Sequence, residues 1–237
     1  MSSCVLKVDL HTHSGDDPLD RIPYSTRDLI DRAAALNYDA LAITLHEEQL
    51  DIAPYVSYAM ERGLVLIPGV ERSIQGCHVL LLNFSRGAES VEDFEGLARL
   101  KAREPGLVVA PHAFFPVHSL GTNLDRHADL FDAVEYNAMY TPSLNFNLAA
   151  ERWAHAHGKP IVGNGDVHRL AQLGTTYSLV DAERSPASIC AAIAAGRVRL
   201  VTRPLTWPFA IRTFTGMVTA SAWPRRAFAA PAAPATV

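Results

Sequence analysis

Cysteine is scarce in this chain of 237 residues, and the few copies do not pair up. Cys4, Cys77 and Cys190 form neither an even framework nor a Cys-x-x-Cys motif. That excludes a disulfide-stapled scaffold and makes a reducing cytoplasm the expected setting. No apolar run approaches the roughly 18–20 residues that span a bilayer, so no membrane partner is expected. The first residues lack the basic, apolar, small-residue order of a secretory signal. An excess of basic charge is missing too: 21 Lys and Arg stand against 25 Asp and Glu, a net of -4. A protein that coats long nucleic acids needs a broad basic face, so the balance counts against that role and leaves small anionic substrates open. No repeat or linker divides the chain, and 49% apolar residues suffice for one large core.

Histidine, by contrast, is abundant, with ten copies whose places are informative. The stretch Val8-Asp9-Leu10-His11-Thr12-His13-Ser14 ends an apolar run from Val5 that reads as a buried strand. Side chains two apart on a strand share a side, so His11 and His13 can aim both imidazoles at one point. A polar loop with Asp16, Asp17 and Asp20 follows, then a helix capped by Ser25 or Thr26, then a strand Ala40–Thr44 ending at Leu45-His46. After a helix from Ala53 to Arg62, the strand Leu64–Ile67 leads into Pro68-Gly69-Val70-Glu71. Only 72–77 separate Glu71 from the strand His78–Leu82, too few residues for a parallel crossover. A hairpin with Gly76 in its turn is expected, with Glu71 and His78 flanking it.

Further along, a helix covers Val91–Arg103, Leu107–Ala110 leads to Pro111-His112, and Ala133–Tyr136 leads to Asn137. A helix over 145–157 precedes Pro160-Ile161-Val162, which delivers Gly163-Asn164-Gly165-Asp166-Val167-His168. Strands at Thr176–Val180 and Val198–Val201 enclose a helix from Pro186 to Ala195. This beat of strand, polar residue and helix is that of an α/β domain with mostly parallel strands, which carry their chemistry at strand C-terminal ends. Trp207–Trp223 shows no clear period, and the Ala/Pro-rich end reads as lacking fixed structure.

The strand-end residues His11, His13, His46, Glu71, His78, His112, Asp166 and His168 combine imidazoles and carboxylates without thiolates. That mixture suits zinc, manganese or iron in hydrolytic sites. Other histidines read differently. His155 and His157 diverge by about 200° on a helix, and His118 and His127 have no assignable partners. Leu45-His46-Glu47-Glu48 is no zinc-protease helix, because Leu50 stands where the second histidine belongs. Gly163 and Gly165 lack the third glycine and following helix of a nucleotide loop and suit close backbone packing.

The ordered series Asp9-Leu10-His11-Thr12-His13-Ser14, Ala42-Ile43-Thr44-x-His46, Pro68-Gly69-Val70-Glu71, Cys77-His78-Val79-Leu80, Pro111-His112 and Gly165-Asp166-Val167-His168 resembles the polymerase and histidinol phosphatase (PHP) family of metal-dependent phosphoesterases. The resemblance implies a distorted (β/α)7-type TIM-like barrel over 1–205, with two or three divalent ions at the C-terminal ends of its strands and 206–237 as an extension. By position, His11, His13, Glu71 and Asp166 would hold the first ion, and Glu71 would bridge to a second completed by His78 and His112. His46 and His168 would hold the third with a loop acid, Asp17 first and Asp20 second. The family's Thr-Asp-His reads Thr44-Leu45-His46 here, a departure that alters the support of the site and raises a two-metal or weakly active version.

Three ions, three carboxylates and a bridging hydroxide leave the site at about +2, which favours an anion. The activity implied is hydrolysis of a phosphate ester by metal-activated water, on a small phosphorylated metabolite, a nucleotide or a short nucleic acid. His112, His168 and Asp166 are the candidates for proton transfer and catalysis, and Arg72, Arg169 and Asn137 for substrate contact, with Arg21 and Arg203 further off. The alternatives are a C–N hydrolase of the amidohydrolase type and a metal-binding regulatory module. For the first, the usual carboxylated lysine has no candidate among Lys7, Lys101 and Lys159.

Overall fold

The computed structural model describes residues 4–221. In chain order its elements are β1 (Cys4–Asp9), α1 (Thr26–Ala35), β2 (Ala40–Ile43), α2 (Ala53–Met60), β3 (Val65–Ile74), β4 (Cys77–Leu82), α3 (Phe94–Arg103), β5 (Leu107–Ala110), α4 (Thr122–Arg126), β6 (Ala133–Asn137), α5 (Asn147–His157), β7 (Ile161–Asn164), β8 (Thr176–Ala182), α6 (Pro186–Ala194), β9 (Val198–Thr202) and α7 (Trp207–Ser221). Short 3-10 turns at Arg86–Ser90 and Ala128–Leu130 add to these. The first helix starts on a capping box: Ser25 accepts the Asp28 N–H, and the Asp28 carboxylate accepts the Ser25 N–H.

The strands form one sheet in the order β7-β6-β5-β4-β3-β2-β1-β8-β9. Neighbours are parallel from β1 to β3 and from β5 to β7, whereas β4 runs against both β3 and β5, and β8 against both β1 and β9. The sheet is thus less parallel than the sequence rhythm suggests. The cause of the first reversal is local. Gln75 and Gly76, at φ 51° and 80°, make a two-residue turn of the kind whose twist matches a β-hairpin. The third strand also outruns its expected end at Ile67. It continues through Pro68, which pairs with Ile43, and the contact on that side runs on to a parallel bridge between His46 and Glu71.

The sheet curls into a nearly closed barrel. Past β1 the chain stays extended to Thr12, which pairs with Val167 just after β7; the His13 N–H donates to the Val167 carbonyl at 3.2 Å. Below that closure β8 fills the seam, with the Gly163 N–H donating to Ser178 Oγ at 2.9 Å. A Cβ on Gly163 would lie 2.7 Å from the Tyr177 carbonyl oxygen, so the strands meet this closely only at glycine.

Period-two alternation sorts the core. Leu6, Val8 and Leu10, with Ala40, Ala42, Leu80, Leu82, Leu107 and Val109, fill the barrel, and Ile189, Cys190 and Ile193 of α6 pack into the same cluster. The alternate residues Leu41 and Ile43 pack outward with Leu29 and Ile30 of α1; Val79, Leu81 and Val108 do so with Leu97 and Leu100 of α3. One expectation fails here. Trp207–Ser221, read from sequence as aperiodic, is a helix, started by Pro208 in its first turn, where a missing N–H costs no intrahelical bond. Residues 222–237, with the Ala/Pro-rich end, lie outside the described residues. No described helix is long and apolar enough to cross a membrane.

Candidate metal centre

At the C-terminal end of the barrel, five histidines from four places in the chain meet around one carboxylate. Glu71, 1% exposed, sits within β3 rather than at its end. Its Oε2 lies 3.1, 3.3 and 3.2 Å from Nε2 of His11, His13 and His46. Its Oε1 lies 2.7 Å from His78 Nδ1 and 3.0 Å from His112 Nε2. A single side chain therefore faces one set of imidazoles with each oxygen. His78 reaches the site because β4 is reversed: the start of an antiparallel strand lies at the same rim as the ends of its parallel neighbours.

The barrel closure supplies the rest. Pairing of Thr12 with Val167 sets His11 and His13 beside Asp166 and His168. Asp166 Oδ1 lies 3.5 Å from His11 Nε2, 3.7 Å from His13 Nε2 and 3.3 Å from His168 Nδ1. Its Oδ2 accepts the Asn137 amide N–H at 3.0 Å. Asp20 Oδ2 lies 2.9 Å from His168 Nε2, and Asp17 Oδ2 lies 3.0 and 2.9 Å from Nδ1 of His13 and His46. The backbone holds two of these residues in left-handed conformations, His112 at φ 29° and Asp166 at φ 46°, a strain of about 1–3 kcal/mol each that the surrounding contacts must offset. Gly165 is required by close approach: its N–H donates to the buried Asp9 carboxylate at 3.1 Å, and a Cβ there would lie 2.8 Å from Asp9 Oδ2.

Burial and charge pull against each other throughout. Burial disfavours protonation of His11, but Glu71, Asp166 and Glu135 outweigh it and hold its pKa well above the ordinary value. His13 is raised likewise by Asp166, Asp17 and Glu71. Burial and the neighbouring His13 charge oppose protonation of His168, yet Asp166 and Asp20 lift it to about 9. Conversely, burial works to raise the Glu71 and Asp166 carboxyls, and the imidazoles around them hold both well below the usual range. The carboxylates thus draw positive charge into a buried place.

That is the electrostatics of a cation site, and the donor geometry fits one. Ligand atoms cluster in four overlapping groups: His11, His13 and Asp166; His11, Glu71 and His112; His46, Glu71 and His78; and His13, His46 and His168. Most telling is His13 Nε2, which is buried and makes no hydrogen bond. A cation is the partner that this atom lacks.

The residues expected to touch substrate are placed less favourably. Arg72 Nε donates to the Val91 carbonyl at 2.9 Å, and its Nη1 pairs with Glu47. Asn137 is occupied by Asp166 and by the Met139 N–H. Arg169 is half-buried with its Nε free of hydrogen bonds, while Arg21 and Arg203 are exposed. Glu135, on the strand that leads to Asn137, joins the support of the site. The structure buries it completely, 3.2 Å from His11 Nδ1, and it accepts the His112 N–H at 2.8 Å. Its place two residues before Asn137, on one strand face, was the available signal.

Comparison with curated proteins returns no match for the sequence. Residues 145–198 match the PHP_C family, described as PHP-associated. Three solved structures illustrate the shared barrel. A two-domain protein from Bacteroides vulgatus ATCC 8482, containing a predicted PHP-like metal-dependent phosphoesterase, is 18% identical over 91% of this chain and 70% of its own, with a TM-score of 0.64. PsfC from Pseudomonas syringae PB-5123 is 19% identical over 93% of this chain and 98% of its own, at a TM-score of 0.62. The lesion-specific endonuclease PfuEndoQ from Pyrococcus furiosus is 15% identical over 89% and 66%, at 0.58. At these identities the likeness is one of fold, and the barrel here carries its own set of side chains.

Proposed function

We propose that this protein is a PHP-type metal-dependent hydrolase that cleaves phosphate esters with activated water. The observation that carries the reading is Glu71, a buried carboxylate whose two oxygens face five imidazoles, beside a His13 Nε2 that makes no hydrogen bond. His11, His13 and Asp166 would hold one cation and His78 and His112 a second, with Glu71 shared between them. His46 and His168 would hold a third. When bound, zinc, manganese or iron would acidify water into a nucleophile and draw charge from the phosphoryl oxygens. The chain supplies the rest. Glu135 orients His11, and Asn137 fixes Asp166. His112 or His168 could move a proton only when not itself bound to a cation, and Arg169 offers a buried Nε free of hydrogen bonds to a phosphate oxygen.

A monoester of a small metabolite or nucleotide is the first substrate reading. The likeness to the Pyrococcus furiosus endonuclease favours a phosphodiester in a short nucleic acid as the second. C–N hydrolysis of the amidohydrolase type loses support, because every lysine is engaged elsewhere. Lys7 donates to Leu36, Lys101 to Leu130 and Asp132, and Lys159 to Phe131. Metal analysis followed by a panel of phosphate mono- and diesters tests the proposal. Two or three ions with phosphate release supports it; bound metal without turnover supports the regulatory module, and full phosphate release by both His11→Ala and Asp166→Ala would overturn the site.

A further inference from the structure

By position alone, Asp17 comes first as the loop ligand of the third cation. Its surroundings assign it another task. Asp17 Oδ2 faces three donors: Nδ1 of His13 at 3.0 Å, Nδ1 of His46 at 2.9 Å and the His46 backbone N–H at 3.0 Å. Its Oδ1 accepts the N–H groups of Leu19 at 2.9 Å and Asp20 at 2.8 Å. A carboxylate offers about four lone-pair sites, so five donors leave no position for a cation. Asp20 is not saturated in this way, and its Oδ2 stands 2.9 Å from His168 Nε2.

The two imidazoles that Asp17 grips stack at 4.5 Å between centroids and 20° between planes, and each turns its Nε2 towards Glu71. They belong to different cation sites in the arrangement above. An imidazole that binds a cation through Nε2 carries its proton on Nδ1, and a carboxylate accepting that proton fixes both tautomer and ring orientation. Glu135 does the same for His11. We propose that Asp17 is a positioning residue outside the ligand set, a single carboxylate that holds His13 and His46 together so that the cation sites they serve fill as a pair. This rests on the cation-binding part of the preceding proposal and not on the nature of the substrate.

Zinc titration of the metal-free full-length protein, with zinc counted at saturation and affinities measured by competition with a chelator, tests the assignment. Asp17→Asn preserves size and one acceptor oxygen. It is expected to bind the wild-type number of zinc ions at saturation, with two of them weakened together about tenfold to a hundredfold. Asp20→Asn is expected to lose one ion outright. Loss of an ion at saturation in Asp17→Asn, weakening of a single site, or unchanged affinity at all sites would each overturn the proposal. Nitrogen-15 spectra of the zinc-loaded wild-type protein decide it without any variant. His13 and His46 are expected to be protonated at Nδ1 and zinc-shifted at Nε2, and zinc at Nδ1 of either ring refutes the clamp. None of these readouts uses a substrate, so a protein that releases no phosphate leaves this inference standing or falling by itself.

Discussion

The two ends of the barrel are built on opposite principles. At the N-terminal end Ile189, Cys190 and Ile193 of α6 pack against Leu6, Leu80 and Leu107, an apolar seal with ordinary backbone conformations. At the C-terminal end, largely buried space is filled by six imidazoles and five carboxylates, two of the residues lie in left-handed conformations, and a ring nitrogen makes no hydrogen bond. The first arrangement lowers the free energy of the folded chain by removing carbon from water. The second raises it, and is retained only where an absent partner can repay the desolvated charges. Stability and chemistry are therefore separable in this molecule, and variants should separate them.

The sharpest separation is expected from Glu71→Gln. Without the charge that faces both sets of imidazoles, ion occupancy should fall by more than one, and phosphate-ester hydrolysis should drop about a thousandfold, equal to about 4 kcal/mol of transition-state stabilisation. Circular dichroism should remain that of the folded barrel. At the opposite end, Ile193→Ala should destabilise the protein by about 2–5 kcal/mol in urea unfolding while leaving turnover per folded molecule unchanged. If Ile193→Ala abolished turnover in folded protein, the two ends would not be independent.

A proton count gives the next largest effect. In the metal-free protein His168 lies at about 9, so at pH 7 it carries a proton that a metal must displace, and neighbouring carboxylates raise the pKa values of His11, His13 and His112 in the same direction. Zinc uptake should release protons, measured as a dependence of calorimetric heat on buffer ionisation enthalpy, and apparent affinity should rise with pH up to about 9. The sign for stability is the reverse. The raised imidazoles stabilise the metal-free fold fully below their ordinary 6.5, and that contribution fades as pH rises through about 9. Smallest of all is Arg72→Ala, expected to change hydrolysis less than Arg169→Ala, because Glu47 and the Val91 carbonyl already hold the Arg72 guanidinium.

The parts legible in the sequence were those that short-range geometry dictates. His11 and His13 share a strand side, Asp166 and His168 follow a glycine, and the brief link after Glu71 demanded a hairpin. What stayed hidden depends on contacts between distant segments. Whether Asp17 or Asp20 faces the site is set by how the 14–20 loop folds back on His46, and no spacing encodes that. Glu135 is 124 positions from His11, so its hold on that ring becomes visible only when the barrel closes. The run Pro68-Gly69 looked like a strand end because both residues weaken an isolated strand, whereas partners on both sides, Ile43 and Leu82, carry β3 through them.

The reversed β4 has a wider consequence. Because the chain turns back at Gln75 and Gly76, a two-stranded ribbon continues past Glu71 beside the metal centre, where β1, β2, β5 and β6 lead away to helices. Its registration is secured lower down by Val70 opposite Leu81 and Glu71 opposite Leu80. Residues added to or removed from the tip would raise or lower a parapet at the entrance and leave the metal-binding floor in place, so the bulk of molecules admitted can be tuned without retuning the chemistry.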